Sequence, residues 1–447
     1  MTHSELTALL RKEMTLATGC TGPTAYALAS ANCRDYMTAP AKNIDVYVSP
    51  AYLKMGFGVA TPGTDRKGIE IAVAAGLVCG DPKAGMQVLK STTPEDMDAA
   101  AKFEAQGIIK VHNAKGKHGV YVLCEVTTAN ETVSSLVEKT HDGVVWIKVD
   151  GEVKFEGRTA EDEPRLEDNP DALKLEDIFQ YVENASFEEV GFILEAYRTN
   201  LALAEDGLKK GLGLGTGQAL LKKSLRERGM NDGDDVFADP LSCLPDDPAV
   251  RSDILVSAAS DARMGGSSFP AMAAMGDGNQ GITASLPIGA YGELGGHSEL
   301  ETARALALSC LMLFYVKMNI GRAAAMCLCA IAASAGVAAG VGKLTGLSND
   351  QIKAAVKNTI TPLTGMVCDG AKGGCALKMS IAVKTAISGV SLAAGGVEMD
   401  VYDGLSDKTL EQTVANITDL ANRSLDTMDD LMVETILSKE KGSCVLF

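Results

Sequence analysis

Aromatic side chains are scarce. They make up 5% of the 447 residues, with a single Trp. A core built on large rings is therefore excluded, and the 46 glycines point to helices packed closely through small side chains. Positive charge is also in deficit, 41 Lys and Arg against 58 Asp and Glu, for a net charge of −17. Such a chain repels phosphate backbones and anionic lipid, which disfavours nucleic-acid and membrane-surface partners. There is no solenoid-period repeat. The opening Met1–Leu6 has no basic segment followed by an apolar one. Eleven cysteines, an odd number in a long chain, do not suit a secreted disulfide scaffold. The expected setting is a reducing cytoplasm. One uncharged stretch, 323–342, is long enough to span a bilayer, but it is mostly Ala, Gly, Ser and Cys and reads as a buried helix.

What is present divides the chain. Length predicts about two to three domains. Residues 1–40 read as two helices, Thr2–Leu16 and Pro23–Cys33, joined by a breaker-rich loop that holds Cys20. Strand signals dominate 41–165: Ile44–Val48 alternates, two β-rich runs flank Asn113–Gly116, and Val144–Phe155 reads as a hairpin turning at Asp150-Gly151. A helix is expected over Lys67–Gly80, and an exposed acidic linker over 157–175. From 175 to 447 the pattern is helical, strongest over Leu175–Lys210, Leu300–Lys317, 323–343, Asn349–Asn358 and Ala376–Ala394, with a further helical pair over 407–437.

The chemistry concentrates at cysteine. Cys368 and Cys375 bracket a glycine-rich segment, Met366-Val-Cys-Asp-Gly-Ala-Lys-Gly-Gly-Cys-Ala-Leu-Lys378. On an unbroken helix, residues seven apart are displaced by about 10.5 Å along the axis. Gly370, Gly373 and Gly374 instead predict a folded-back loop that aims both sulfurs at one target, with N–H groups free for an anion or sulfide. Zinc motifs with paired close ligands are absent. Widely separated cysteines drawn together by the fold suit an iron–sulfur cluster. Cys327 and Cys329 are two apart, so on regular helix they point about 200° apart. One is a ligand and the other core, unless both occupy an irregular first turn. Asp261–Pro270 and Gly276–Thr283 read as loops, and Asn279 and Gln280 offer amides to a small ligand. His297 precedes a helix and is a candidate general base. Lys378 is a candidate for holding a carboxylate or taking a proton.

Four segments carry a resemblance: Gly19–Pro23, Gly278–Pro287, Cys327–Ala333 and, most specifically, Met366–Lys378, with Val59–Thr64 in support. In these the chain resembles the L-cysteine desulfidase family of the iron–sulfur L-serine dehydratase superfamily. The pattern of elements gives an α+β architecture, an α+β N-terminal region packed on a large all-α C-terminal domain, and the resemblance implies that this domain carries most of a [4Fe–4S] site. It implies a lyase without pyridoxal phosphate that converts L-cysteine to sulfide, ammonia and pyruvate. L-serine dehydration is the alternative within the superfamily. A non-catalytic iron–sulfur or zinc redox sensor is the alternative outside it. By position Cys368, Cys375 and Cys327 match cluster ligands, with Cys329 the alternative to Cys327. Cys20 is either a fourth ligand or a thiolate base. Thr21, Asn279, Gln280 and Lys378 are the expected substrate contacts, and the catalytic candidates are Cys20, Lys378 and His297. The expected partner is a small amino acid, with self-association left open.

Overall fold

The computed structural model describes residues 1–18, 21–58, 60, 61, 64, 66–157, 169–321 and 324–438. Cys20 and the tail containing Cys444 lie outside the described residues. In chain order the elements are α1 (His3–Glu13), β1 (Met14–Thr18), α2 (Thr21–Arg34), β2 (Asn43–Val48), α3 (Pro50–Gly56), α4 (Ile69–Cys79), α5 (Pro94–Glu104), β3 (Ile109–Asn113), β4 (Tyr121–Thr127), β5 (Thr132–Glu138), β6 (Val144–Val149) and β7 (Glu152–Glu156). There follow α6 (Leu175–Asn184), α7 (Phe187–Val190), α8 (Leu194–Lys210), α9 (Thr216–Glu227), α10 (Pro248–Met264), β8 (Pro270–Ala274), α11 (Gly278–Leu294), α12 (Glu299–Ile320), α13 (Leu328–Leu344), α14 (Asn349–Leu363), α15 (Cys375–Ala394) and α16 (Leu410–Leu437). An α+β region is thus followed by a mostly helical one.

Two compact units emerge. One comprises Ala17–Arg165, Asp369–Lys372 and Ser424–Phe447. Its six-stranded sheet has the order β3-β2-β4-β5-β6-β7. β2 pairs with β3 in parallel and with β4 antiparallel, and it alternates half-buried with buried residues along its length. The β6–β7 hairpin turns where the sequence predicts. Asp150 and Gly151 are both left-handed, with φ of 51° and 83°, as a two-residue turn between twisted strands requires. Inside this unit lies a buried ion pair, Lys54 Nζ to Asp429 Oδ1 at 2.6 Å.

The other unit comprises Met1–Leu16, Leu166–Cys368 and Gly373–Arg423. Its innermost helix is α13, where every described residue from Ala330 to Gly342 is buried. The small residues expected from composition serve close approach here. A Cβ on Gly336 would lie 2.4 Å from the Ser309 carbonyl oxygen of α12.

Several expectations need correction. The helix expected over Thr2–Leu16 stops at Glu13 and gives way to β1, which pairs with β8. β8 is a strand in a region expected to be wholly helical. Leu175–Lys210 is broken into α6, α7 and α8, because Ser186 starts a new helix with its own capping box. The pair expected over 407–437 is one 28-residue helix, α16. Among the described residues two helices, α12 and α15, are long and apolar enough to cross a membrane, with 89% and 44% of their apolar windows buried. α13, which covers most of the uncharged stretch and ends two residues beyond it, is a shorter apolar helix.

Candidate functional site

The side chains of the site, Cys327, Cys329, Cys368, Cys375, Lys378 and Asp277, stand on three chain segments and all belong to the helical unit. The first leads into α13. Cys327 is the N-cap residue of that helix, in extended conformation (φ −75°, ψ 96°), and Cys329 is its second helical residue. Both thiols therefore sit in the irregular first turn, the exception that the 200° separation on regular helix allows. Their side chains hydrogen-bond to one another.

The second segment is the loop from Thr364 to Gly374, a folded-back connection between α14 and α15, as the glycines predict. Its first half runs antiparallel to the approach to α13. Met326 and Val367 form a bridge, Cys327 N–H donates to Met366 O (2.8 Å), and Cys368 N–H donates to Ala325 O (2.7 Å). These bonds bring the Cys327 and Cys368 segments together. Gly370 then takes φ +94°, and a Cβ there would lie 2.1 Å from the Lys54 carbonyl oxygen, so only glycine serves. Helix α15 starts at Cys375. One turn on, Lys378 Nζ donates to Val367 O at 2.9 Å, tying the start of α15 back to the bridged strand.

The third segment is the turn between β8 and α11. Met275 and Gly276 are consecutive left-handed residues, with φ of 46° and 78°, a strained pair of the kind that clusters at functional sites. The turn delivers Asp277, the N-cap of α11, whose Oδ1 accepts the N–H groups of Asn279 (2.9 Å) and Gln280 (3.3 Å). Asn279 and Gln280 thus stand on the first turn of a helix and not in the loop that the sequence suggests. The preceding segment is corrected likewise, since Asp261 to Met264 completes α10. The other carboxylate oxygen, Asp277 Oδ2, accepts from Gln280 Nε2 at 3.3 Å and lies 3.7 Å from the Cys329 sulfur. Arg263 Nη1 lies 3.8 Å from Asp277 Oδ1. That guanidinium is 3% exposed. It packs so tightly under Gly278 that a Cβ there would come within 2.4 Å of Nε.

The electrostatics follow from this layout. The hydrogen bond from Cys329 holds the Cys327 thiol below its ordinary range, against burial. The Lys378 ammonium and the Ala330 N–H act in the same direction, and the Asp277 carboxylate opposes them. Cys329 is pushed far up, first by giving that hydrogen bond, then by burial and the charges of Asp277, Cys327 and Cys375. Cys327 is the better thiolate of the pair, helped by its place at a helix N-terminus.

Of the expected site residues, Cys327, Cys329, Cys375, Lys378 and Gln280 converge here, joined by Asp277. Cys368 is brought alongside by its backbone bonds. Asn279 is on the same turn as Gln280. His297 is not brought in. It follows the far end of α11, a helix about 25 Å long, and sits beside the Ser298–Glu301 capping box of α12. Thr21 begins α2, and Cys20 falls outside the described residues. Sequence reasoning passed over Asp277 and Arg263. For Asp277 a signal existed, since Asp two residues before Asn279 at the head of an apolar run is an N-cap pattern.

Among the described residues, no three His, Cys, Asp or Glu side chains gather tightly enough to hold a single metal ion. The donor set is nonetheless of the kind that binds iron–sulfur clusters. Four cysteines stand on two bridged segments, one of them held toward thiolate. None of the nine described cysteines is in a disulfide.

Comparison with known proteins gives the family. Residues 83–434 match the model of the serine dehydratase alpha chain. A UPF0597 protein of Oleidesulfovibrio alaskensis is 34% identical, covering 97% of each chain. One of Porphyromonas gingivalis is 33% identical over 98% of this chain and 99% of its own, and one of Bacteroides thetaiotaomicron is 33% identical over 99% of each. The chain belongs to the serine dehydratase alpha chain family, among its UPF0597 relatives.

Proposed function

We propose that the protein is an iron–sulfur-dependent β-eliminase of a small L-amino acid, with L-serine dehydration the leading reaction and L-cysteine desulfidation its rival at the same site. The observation that carries this is the bridge between Met326 and Val367, which draws Cys327 and Cys368 to one place beside the head of α15. The family match supports serine over cysteine.

Cys368, Cys375 and one of Cys327 and Cys329 would hold the cluster, and the backbone bond from Cys327 N–H to Met366 O, which seats it against the Cys368 segment, favours Cys327. Cys20 is the proposed fourth ligand or base. When bound, a cluster with three protein thiolates supplies a Lewis acid for the departing β-substituent. Loss of the Cα proton and of the β-hydroxyl as water turns L-serine into 2-aminoacrylate. That product tautomerises and hydrolyses to pyruvate and ammonia. Desulfidation differs only in that hydrogen sulfide leaves. Asp277, Asn279, Gln280 and Lys378 line the place where the substrate's charged ends are held. Arg263 fixes Asp277 from behind, so the polar turn is set before substrate arrives. The thiol chemistry suits a reducing cytoplasm.

The test is anaerobic purification with iron and sulfide quantified, followed by pyruvate assay with L-serine, L-cysteine and their D-isomers. The proposal expects iron and sulfide to be bound, with pyruvate from an L-isomer. Cys368→Ser should lose both metal and turnover, while the buried core variant Cys310→Ser keeps both. Bound cluster without pyruvate from any of the four amino acids would leave a redox sensor as the surviving reading.

A further inference from the structure

We propose that Asp277, Asn279 and Gln280 form the subsite for the ammonium group of an α-amino-acid substrate. This rests on the eliminase reading above and adds to it the end of the substrate that each residue takes.

Two buried oxygens lead to it. Asn279 and Gln280 are 3% and 2% exposed, and their side-chain oxygens, Asn279 Oδ1 and Gln280 Oε1, accept no hydrogen bond from the described residues. Burying such an acceptor unsatisfied costs about 1–3 kcal/mol, so a pair on one helical turn calls for a donor. Amide orientation does not remove the problem. Gln280 presents Nε2 to Asp277 Oδ2 at 3.3 Å, and a carboxylate can only accept, so the nitrogen must face it and Oε1 must face away. Asn279 presents Nδ2 to the Met264 sulfur at 3.8 Å, another acceptor, which fixes Oδ1 in the same sense.

Asp277 supplies the charge. Its side chain keeps 27% of its surface exposed, so a ligand can reach it while the two amides behind stay dry. Its two oxygens are divided. Oδ1 serves the N–H groups of α11 and faces Arg263, whereas Oδ2 faces the Cys329 thiol and Gln280. A helix N-terminus by itself favours anions. Here its N–H groups at 279 and 280 are already taken by Oδ1, and the turn leaves buried acceptors without a donor. A ligand with several N–H donors and a positive charge matches that surface. A carboxylate or a phosphate does not. Contact between Asp277 Oδ2 and the Cys329 thiol puts this ammonium site beside the proposed cluster thiols, where the Cα of an α-amino acid must lie.

The experiment uses two probes that cannot undergo elimination, L-alanine and L-lactate, which share a carbon skeleton and differ by ammonium against hydroxyl. Their binding to the anaerobically purified full-length protein is measured by calorimetry, with iron quantified in each sample. Asp277→Asn removes the charge and retains a side chain that caps helices well, and its melting temperature is recorded beside the binding because Arg263 loses its carboxylate partner. The wild-type protein should bind L-alanine at least about tenfold more tightly than L-lactate. D277N should weaken L-alanine by about 10–100-fold, leave L-lactate within about threefold, and keep its iron. Gln280→Leu should reduce the same preference by a smaller factor, which gives an independent reading if D277N folds poorly. A wild-type protein that does not prefer L-alanine, or a D277N variant that weakens both probes equally or neither, overturns the assignment. Unchanged KM for the eliminated amino acid in D277N also overturns it and leaves the eliminase reading standing. Preserved, Asp277-dependent L-alanine preference with no pyruvate from L-serine or L-cysteine sinks the eliminase reading and leaves the ammonium site.

Discussion

Lys54→Met tests the energetics of the sheet unit most directly. Lys54 Nζ and Asp429 Oδ1 are 2.6 Å apart, with side chains 1% and 8% exposed. At that distance and an effective dielectric of 20, Coulomb attraction amounts to about 6 kcal/mol. Removing both ions from water offsets most of this, so the pair adds little net stability. Removing one partner is different. K54M would leave the Asp429 carboxylate buried and uncompensated, which costs about 3–5 kcal/mol. With a urea slope of about 2 kcal/mol/M, the midpoint should fall by about 2 M. The assay is built in, because the single Trp, Trp146, lies in β6 of the same unit, and its fluorescence reports unfolding there. The double variant K54M/D429L should recover most of the loss by replacing the ions with apolar volume. A K54M cost below about 1 kcal/mol, or a double variant as unstable as the sum of its singles, would refute the argument that uncompensated charge dominates.

Two further outcomes follow from the same structure. Gly370→Ala forces a side chain into a left-handed backbone (φ +94°) and against the Lys54 carbonyl oxygen. It should lower stability by at least about 1–2 kcal/mol, read as a drop in melting temperature, and should lower bound iron because it displaces the loop between Cys368 and Cys375. Asp261 has its carboxyl raised above the ordinary range, mainly by burial, against hydrogen bonds from the N–H groups of Gly217, Leu214 and Thr216. Its folded-state pKa exceeds the unfolded one, so the native state binds the extra proton and stability declines as pH rises through that interval. Urea midpoints of wild type against Asp261→Asn, followed upward from the ordinary carboxylate range, should show the wild type losing ground relative to the variant. An invariant difference between the two would refute this assignment.

Local features of this chain could be read without a fold. Asp150-Gly151 between alternating runs specifies a hairpin because a two-residue turn needs two left-handed residues, and the structure has them there. Gly370, Gly373 and Gly374 specify a loop between two cysteines because glycine disfavours continuous helix, and α15 starts only at Cys375. Helix α12 was expected within a few residues of its observed ends because apolar spacing is a short-range signal. Convergence was not legible. That β2 would pair in parallel with β3 depends on a connection through three helices, and strand composition does not encode it. That Cys327 and Cys329 share one irregular first turn depends on one residue's backbone, the extended conformation of an N-cap, which the Met326–Val367 bridge accompanies. His297 and Asn279 looked equally available in sequence, yet they lie at opposite ends of α11. The sequence by itself determined where its strongest local signals turn or coil, and which residue types were on hand. Only the tertiary structure decided that Cys329 reaches Asp277, because contacts between residues about fifty positions apart are set by packing and not by any local period.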